Sequence, residues 1–245
     1  MKQTIVLACV LALAVACQPA SAQFNFTDDF EAGIGAWTQG GNPFVLSNAQ
    51  NIIPAGGQYS AQLDYSADFM YHNLGWEADQ FRFTFYLYDG DATRNFGMAR
   101  SYSGAGYGDG TLQQIFAIGK YNSVTMPGEV YDATKYQARI VAGGTVGWFN
   151  LNGAGSPDRS AGWHKFDILR TGGNIVNFYV DDVLSRSFSD TTFFTVETLA
   201  FGLGTGTSTG NSWVDGVMFV PEPGSLLALG AGLASMAGLI RRRRA

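Results

Sequence analysis

From residue 81 to residue 88 the chain alternates without a break. Phe81, Phe83, Phe85 and Leu87 fall on one side, and Arg82, Thr84, Tyr86 and Tyr88 fall on the other. A period of two is the signature of a β-strand with one face buried. The first set belongs to a core. The second belongs to a surface, on which Arg82 and Thr84 tolerate replacement.

The rest of the body follows the same grammar. Short apolar runs are cut by Gly, Asn, Asp and Ser turns, and few of the 18 Phe and 11 Tyr recur at helical spacing. Such a pattern predicts an all-β sandwich or barrel. A first strand is expected over 25–31, carrying Asp28, Asp29 and Glu31. Further strands are expected over 46–53, 58–65, 112–118, 136–141, 145–151, 162–170, 175–181, 183–188, 196–203 and 212–220. Residues 89–110 and 152–162 read as loops. Within the first of these, Gly104, Gly106 and Gly108 do not form a nucleotide loop, since no helix pattern follows them.

The two ends read as addresses. Lys2, an apolar stretch over 5–16 and Ala20-Ser21-Ala22 make a signal peptide over 1–22, cleaved after Ala22. Both cysteines, Cys9 and Cys17, lie in this leader, so the mature body has no disulfide and is held by its core alone. Ala14-Val15-Ala16 before Cys17 leaves open a lipoprotein signal as the alternative. At the other end Pro221-Glu222-Pro223 is followed by an uncharged run over 224–240, then by Arg241, Arg242, Arg243 and Arg244. As a helix that run spans roughly 25 Å, the lower edge of what crosses a bilayer. Positive flanks are retained in the cytoplasm, which leaves the body outside.

The domain plan is therefore 1–22, 23–219 and 220–245. Without Lys2 and the terminal arginines ten basic residues remain, and without Glu222 nineteen acidic ones, so the body carries about −9. So acidic a surface excludes nucleic acid as a partner. It also leaves the membrane to be met only through the C-terminal helix, before processing.

The ordered set of Pro-Glu-Pro, apolar helix and arginine cluster resembles the sorting tail of PEP-CTERM proteins. That resemblance implies an exported protein processed by an integral-membrane exosortase, held briefly in the inner membrane and delivered to the cell envelope, surface or extracellular matrix. The alternative is an ordinary single-pass anchor. A second resemblance lies in Trp163-His164-Lys165-Phe166, in 177–183 and in Trp213-Val214-Asp215-Gly216-Val217. These segments are similar to concanavalin A-like lectin and glucanase domains, which implies a two-sheet antiparallel jelly roll.

Glucanases of that kind carry Glu-x-Asp-x-x-Glu on one strand. Here Glu77 and Asp79 fit but Arg82 stands where the acid belongs, and an arginine cannot exchange that proton. Hydrolysis is disfavoured, and Glu77 and Asp79 read as solvated residues. With no mature Cys and only His72 and His164, a zinc site or a Cys/His pair is excluded, and His164 reads as structural.

For sugar, rings that stack on pyranose faces are the useful groups. Tyr86, Tyr88, Tyr102, Tyr107 and Trp148 are the candidates, against the plainer reading that they pack. No cofactor is required. A structural calcium ion held by Asp28, Asp29, Glu31 and Asp215 is the one metal site the sequence offers, because terminal strands of jelly rolls pair side by side. The functional expectation is a non-enzymatic surface or matrix protein associated with exopolysaccharide. The alternatives are a glycan-specific lectin-like module and a degenerate glycoside hydrolase.

Overall fold

A computed structural model describes residues 25–40, 44–52, 57–63, 69–90, 92–172, 174–189, 194–202 and 211–221. The predicted signal peptide with Ala22 and Cys17, the segment 222–240 and the terminal arginines lie outside the described residues. Among the described residues there is no α-helix, and no helix long and apolar enough to cross a membrane.

The described chain forms β1 (Phe26–Asp28), β2 (Thr38–Gly40), β3 (Val45–Ser47), β4 (Ser60–Leu63), β5 (Phe69–Ala78), β6 (Phe81–Asp89), β7 (Asn95–Tyr102) and β8 (Leu112–Lys120). It continues through β9 (Gln137–Ala142), β10 (Thr145–Asn150), β11 (Gly162–Thr171), β12 (Ile175–Val180), β13 (Val183–Ser189), β14 (Val196–Gly202) and β15 (Ser212–Pro221). One sheet has the order β13-β12-β11-β6-β15-β4-β3, with β1 also on β15. The other runs β10-β9-β8-β7-β14-β5-β2. Every pairing is antiparallel. The first and last strands do lie side by side, Phe26 opposite Phe219 and Asp28 opposite Val217.

The alternation read in the sequence is the organising feature of β6. Phe81, Phe83 and Phe85 are fully buried and Leu87 nearly so. They meet the opposite sheet ring to ring: Phe85 and Phe201 stand 5.0 Å apart at 86°, the edge-on geometry that aromatic quadrupoles favour. Phe81 stacks on Phe219 at 5.0 Å. The other face of β6 is less open than expected. Thr84 is buried and donates to the buried carboxylate of Asp167, directly across on β11.

Three strands, β2, β5 and β7, were not expected, and the two longer ones have physical reasons. β7 lies within the stretch read as loop. Its inward positions are Gly97, Ala99 and Ser101, while Phe96, Met98 and Arg100 point outward, so the usual sense of the alternation is reversed. Gly97 is small by necessity, since a Cβ there would stand inside the ring of Phe85 and 2.8 Å from Phe201. β5 is interrupted by Gly75 at φ +75°, which breaks the period of two. The apolar outward residues of the seven-stranded sheet form a second buried cluster of Phe69, Phe96, Met98, Ile115, Ala117, Trp148 and Ala200.

Candidate functional site

The five aromatic candidates divide between two surfaces. Tyr86 and Tyr88 lie on the outer face of the eight-stranded sheet. There Tyr88 sits between two tryptophans on neighbouring strands, Trp163 of β11 and Trp213 of β15. The rings meet edge-on, 5.6 Å apart at 77° and 5.4 Å apart at 87°. The three rings form one half-buried row on that face.

Tyr102 and Tyr107 lie on the outer face of the seven-stranded sheet, with Tyr71 and Phe69. Tyr107 stands 4.4 Å from Tyr71, 4.9 Å from Phe69 and 5.8 Å from Tyr102. The loop that carries it is tied down at both ends. Asn73 on β5 accepts the Tyr107 amide at 3.0 Å and the Thr198 hydroxyl at 2.9 Å, and Asp109 accepts the Ala105 amide at 2.9 Å. The glycine-rich run around Gly106 therefore has a use that its sequence did not reveal: it lays a tyrosine back over the sheet. Trp148 must be corrected as a stacking candidate. It is buried, and Tyr121 covers its face at 3.9 Å and 5°.

The same face carries two residues that the sequence reading missed, Arg100 on β7 and Arg139 on β9. Neither forms a salt bridge with a described residue. Arg139 was legible as a charge at mid-strand, between Ala138 and Ile140. Arg100 was not, because its strand read as loop.

The end carboxylates are placed near one another but are engaged. Asp28 accepts the Phe30 amide at 2.8 Å and the Trp37 indole at 2.7 Å. Glu31 accepts the amides of Gln58 and Tyr59 at 2.6 and 2.8 Å, and Asp29 accepts the Glu31 amide at 3.2 Å. Asp215 is buried and accepts the Ile52 and Gly216 amides at 3.1 and 2.7 Å. Among the described residues no group of three or more His, Cys, Asp or Glu stands placed to hold a metal ion. Asp29 and Glu31 also lie beyond the end of β1, in the turn that follows it.

The glucanase-like carboxylates are dispersed. Glu77 is on β5 and accepts the Thr195 hydroxyl at 2.8 Å, Asp79 pairs with Arg170 at 2.7 Å in the following turn, and Arg82 is on β6 in the other sheet. A different trio comes together instead. Ser160 Oγ is 3.1 Å from His164 Nε2, and His164 Nδ1 is 2.8 Å from Asp181 Oδ2. The distances suit a nucleophile, base and orienter, but the proton positions do not. Nε2 also faces the Ser160 carbonyl oxygen at 2.9 Å, which only accepts. With Nδ1 facing the Asp181 carboxylate and Nε2 facing that carbonyl, the surroundings favour the protonated ring over one free to take a proton. The hydrogen bond to Asp181 raises the His164 pKa, and this contact ties β11 to the β12–β13 turn.

These groups give the stability a definite pH dependence. Burial pushes the Asp215 pKa up to about 6, with the charges of Asp29 and Glu31 adding to it, and pushes Glu197 up to about 7. Asp28 is raised by burial as well. A group whose folded pKa is raised contributes stability that is lost as pH rises through that value. For Asp215 that loss runs from about pH 4 to about 6 and for Glu197 on to about 7, and the raised His164 acts in the same sense. Asp181, whose burial is outweighed by the hydrogen bonds from His164 and the Lys165 amide together with the charge of His164, and Asp89, held low by Arg159 and Lys120 against its burial, act oppositely but only at acid pH. Thermal unfolding is expected to show the highest Tm near about pH 4 and a fall from there toward about pH 8. A Tm that climbs across that window would contradict these assignments.

A family model described as the PEP-CTERM protein-sorting motif matches residues 219–244. A comparison with curated proteins gives no match. Among solved structures the chain is similar to a Bacillus licheniformis beta-glucanase, at 14% identity over 82% of this chain and 100% of that one, with a TM-score of 0.51. It is similar also to the globular domain of T. cruzi calreticulin, at 9% identity over 83% and 90% of the two chains and a TM-score of 0.50. The cellulose-induced protein Cip1 aligns at 10% identity over 80% and 97%, with a TM-score of 0.50. At such identities the likeness concerns the fold alone. The body is a two-sheet antiparallel jelly roll of the glucanase and lectin type. The chain that carries it has the PEP-CTERM signal of an exported protein, sorted at the cell envelope through an exosortase.

Proposed function

We propose that the protein is a non-enzymatic component of the cell surface or extracellular matrix that associates with extracellular polysaccharide. The contact is made on the outer face of the seven-stranded sheet. The observation that carries this reading is the ring cluster of Tyr71, Tyr102 and Tyr107. Its Tyr107 is 36% exposed, yet the loop beneath it is fixed by Asn73. Rigid aromatic rings at a solvent-facing surface offer sugar faces a stacking partner at little entropic cost. The dispersal of Glu77, Asp79 and Arg82 supports a binding role over hydrolysis, and the sorting tail supplies the route outward.

The test is binding of the mature chain, from Gln23 and kept in mild detergent, to a glycan array, with reducing-sugar release measured in parallel. Retention on glycans, lost in Tyr107→Ala, is the expected result. Release of reducing ends would make it a hydrolase, and absence of retention on every glycan would remove the binding role.

A further inference from the structure

We propose that this face receives an anionic glycan, with Arg100 and Arg139 taking the carboxylate or sulfate of an acidic sugar. The inference rests on the polysaccharide-binding reading above and specifies its ligand.

The two arginines stand on strands separated by β8. Met98, Ala117 and Arg139 form one row across β7, β8 and β9, and Arg100, Ile115 and Val141 form the next. The strand between them, β8, contributes Ala117 and Ile115 to this face, both buried, and Ala117, directly opposite Arg139, is small.

Their partners are unusual for buried cations. Arg159, Arg170 and Arg186 each reach a carboxylate, within 3.1 Å, 2.7 Å and 2.8 Å. Arg100, only 8% exposed, instead donates to the Tyr102 hydroxyl at 3.0 Å and to the Met98 sulfur at 2.9 Å, a weak acceptor. Its Nε is buried with no hydrogen-bond partner among the described residues, and so is the Nε of Arg139. In a body where acids outnumber bases, two cations are held close to a low-dielectric surface without a counter-charge among the described residues. Desolvation of that kind is costly until an anion arrives. Burial lowers the Arg139 pKa, and the charge of Arg100 lowers it further, so one anion between them relieves both.

The rings that surround them orient the guanidinium groups. Arg100 lies 5.0 Å from the Phe69 ring centre and 5.9 Å from that of Tyr107, and Arg139 lies 5.9 Å from that of Trp148. A stacked guanidinium keeps its N–H edge free for a planar carboxylate or a sulfate. Arg139 is the more open of the two, and Tyr107 stands beside Arg100. A sugar ring on the tyrosine cluster would therefore present its acidic group to the arginine pair. The acidity of the remaining body repels polyanions in general, so attraction is confined to this pair.

The experiment is calorimetric titration of the mature chain with uronic-acid oligosaccharides and with sulfated ones. Each is set beside its uncharged counterpart, methyl-esterified or desulfated, and single-stranded DNA is included as a phosphate polymer. At least one charged glycan is expected to bind more tightly than its uncharged counterpart, and the series that does so distinguishes carboxylate from sulfate. Arg100→Gln and Arg139→Gln should each weaken the charged glycan roughly tenfold, the scale of one lost charge-assisted hydrogen bond, and Arg139→Gln should leave the uncharged one unchanged. Arg139→Lys should recover only part of the loss, because the forked geometry is gone. A Tm equal to that of the parent chain certifies the fold of both Gln variants. Equal binding of charged and uncharged glycans, indifferent to both arginines, would overturn this inference and leave the binding role standing. DNA bound as tightly as any glycan would overturn it too. No glycan bound by the parent chain would remove the broader reading as well.

Discussion

Phe83→Ala is expected to lower the stability of the body by about 3–5 kcal/mol, the cost of truncating a large core ring. Phe83 is fully buried, 4.8 Å from Phe85 and 5.9 Å from Phe201, so its loss leaves a hole that two sheets border. For a body of this size that corresponds to a fall in Tm of roughly 6–20 °C. The neighbouring positions grade the effect. Thr84→Ala removes the hydroxyl that satisfies the buried Asp167 carboxylate and should cost about 1–3 kcal/mol, whereas Arg82→Ala on the half-open face should cost much less. Denaturant unfolding of the three variants checks the order. A Phe83 variant no weaker than Arg82→Ala would mean that the strand does not present this face to the core.

In its native cell the protein is expected to lose Arg241–Arg244 completely. The matched sorting motif spans 219–244, and an exosortase acts on such tails during export. Mass spectrometry of the envelope or matrix fraction should find C-termini upstream of Arg241. Replacing the four arginines, or Glu222 and Pro223, should divert nearly all of the chain from that fate. Pro221 is a poorer target, since it is the last residue of β15 and pairs with Phe81. A chain still ending at Ala245 in the inner membrane of unmodified cells would make the tail a permanent anchor.

The strands that could be read in advance were those whose large residues point inward. β6 announces itself through three phenylalanines at every second position. β11 to β13 do so through the turns at 171–174 and at Asp181-Asp182, where Asn174, Asp181 and Asp182 take positive φ. β7 could not be read, because its inward side is Gly97, Ala99 and Ser101, and such small residues carry no apolar signal. That one omission also hid Arg100. That Tyr102 and Tyr107 come together was legible locally, because the one ends β7 and the other lies in the loop that follows it. Local composition misjudged Trp148, which is covered by a tyrosine 27 positions earlier in the chain, a contact that only the pairing of β8 to β10 creates. Asp28 and Asp215 were correctly placed on neighbouring strands, whereas Asp29 and Glu31 fall in the turn after β1. That Asp215 accepts the Ile52 amide and Glu31 those of Gln58 and Tyr59 is a tertiary fact.

The account turns on whether the outer face of the seven-stranded sheet holds polysaccharide. Affinity electrophoresis of the mature chain through gels containing extracellular polysaccharide from the producing cells tests this directly. Marked retardation is predicted for the parent chain and for Tyr88→Ala on the opposite face, with near-free mobility for Tyr107→Ala and Arg139→Gln. Equal mobility of all four in gels with and without the polysaccharide would contradict it.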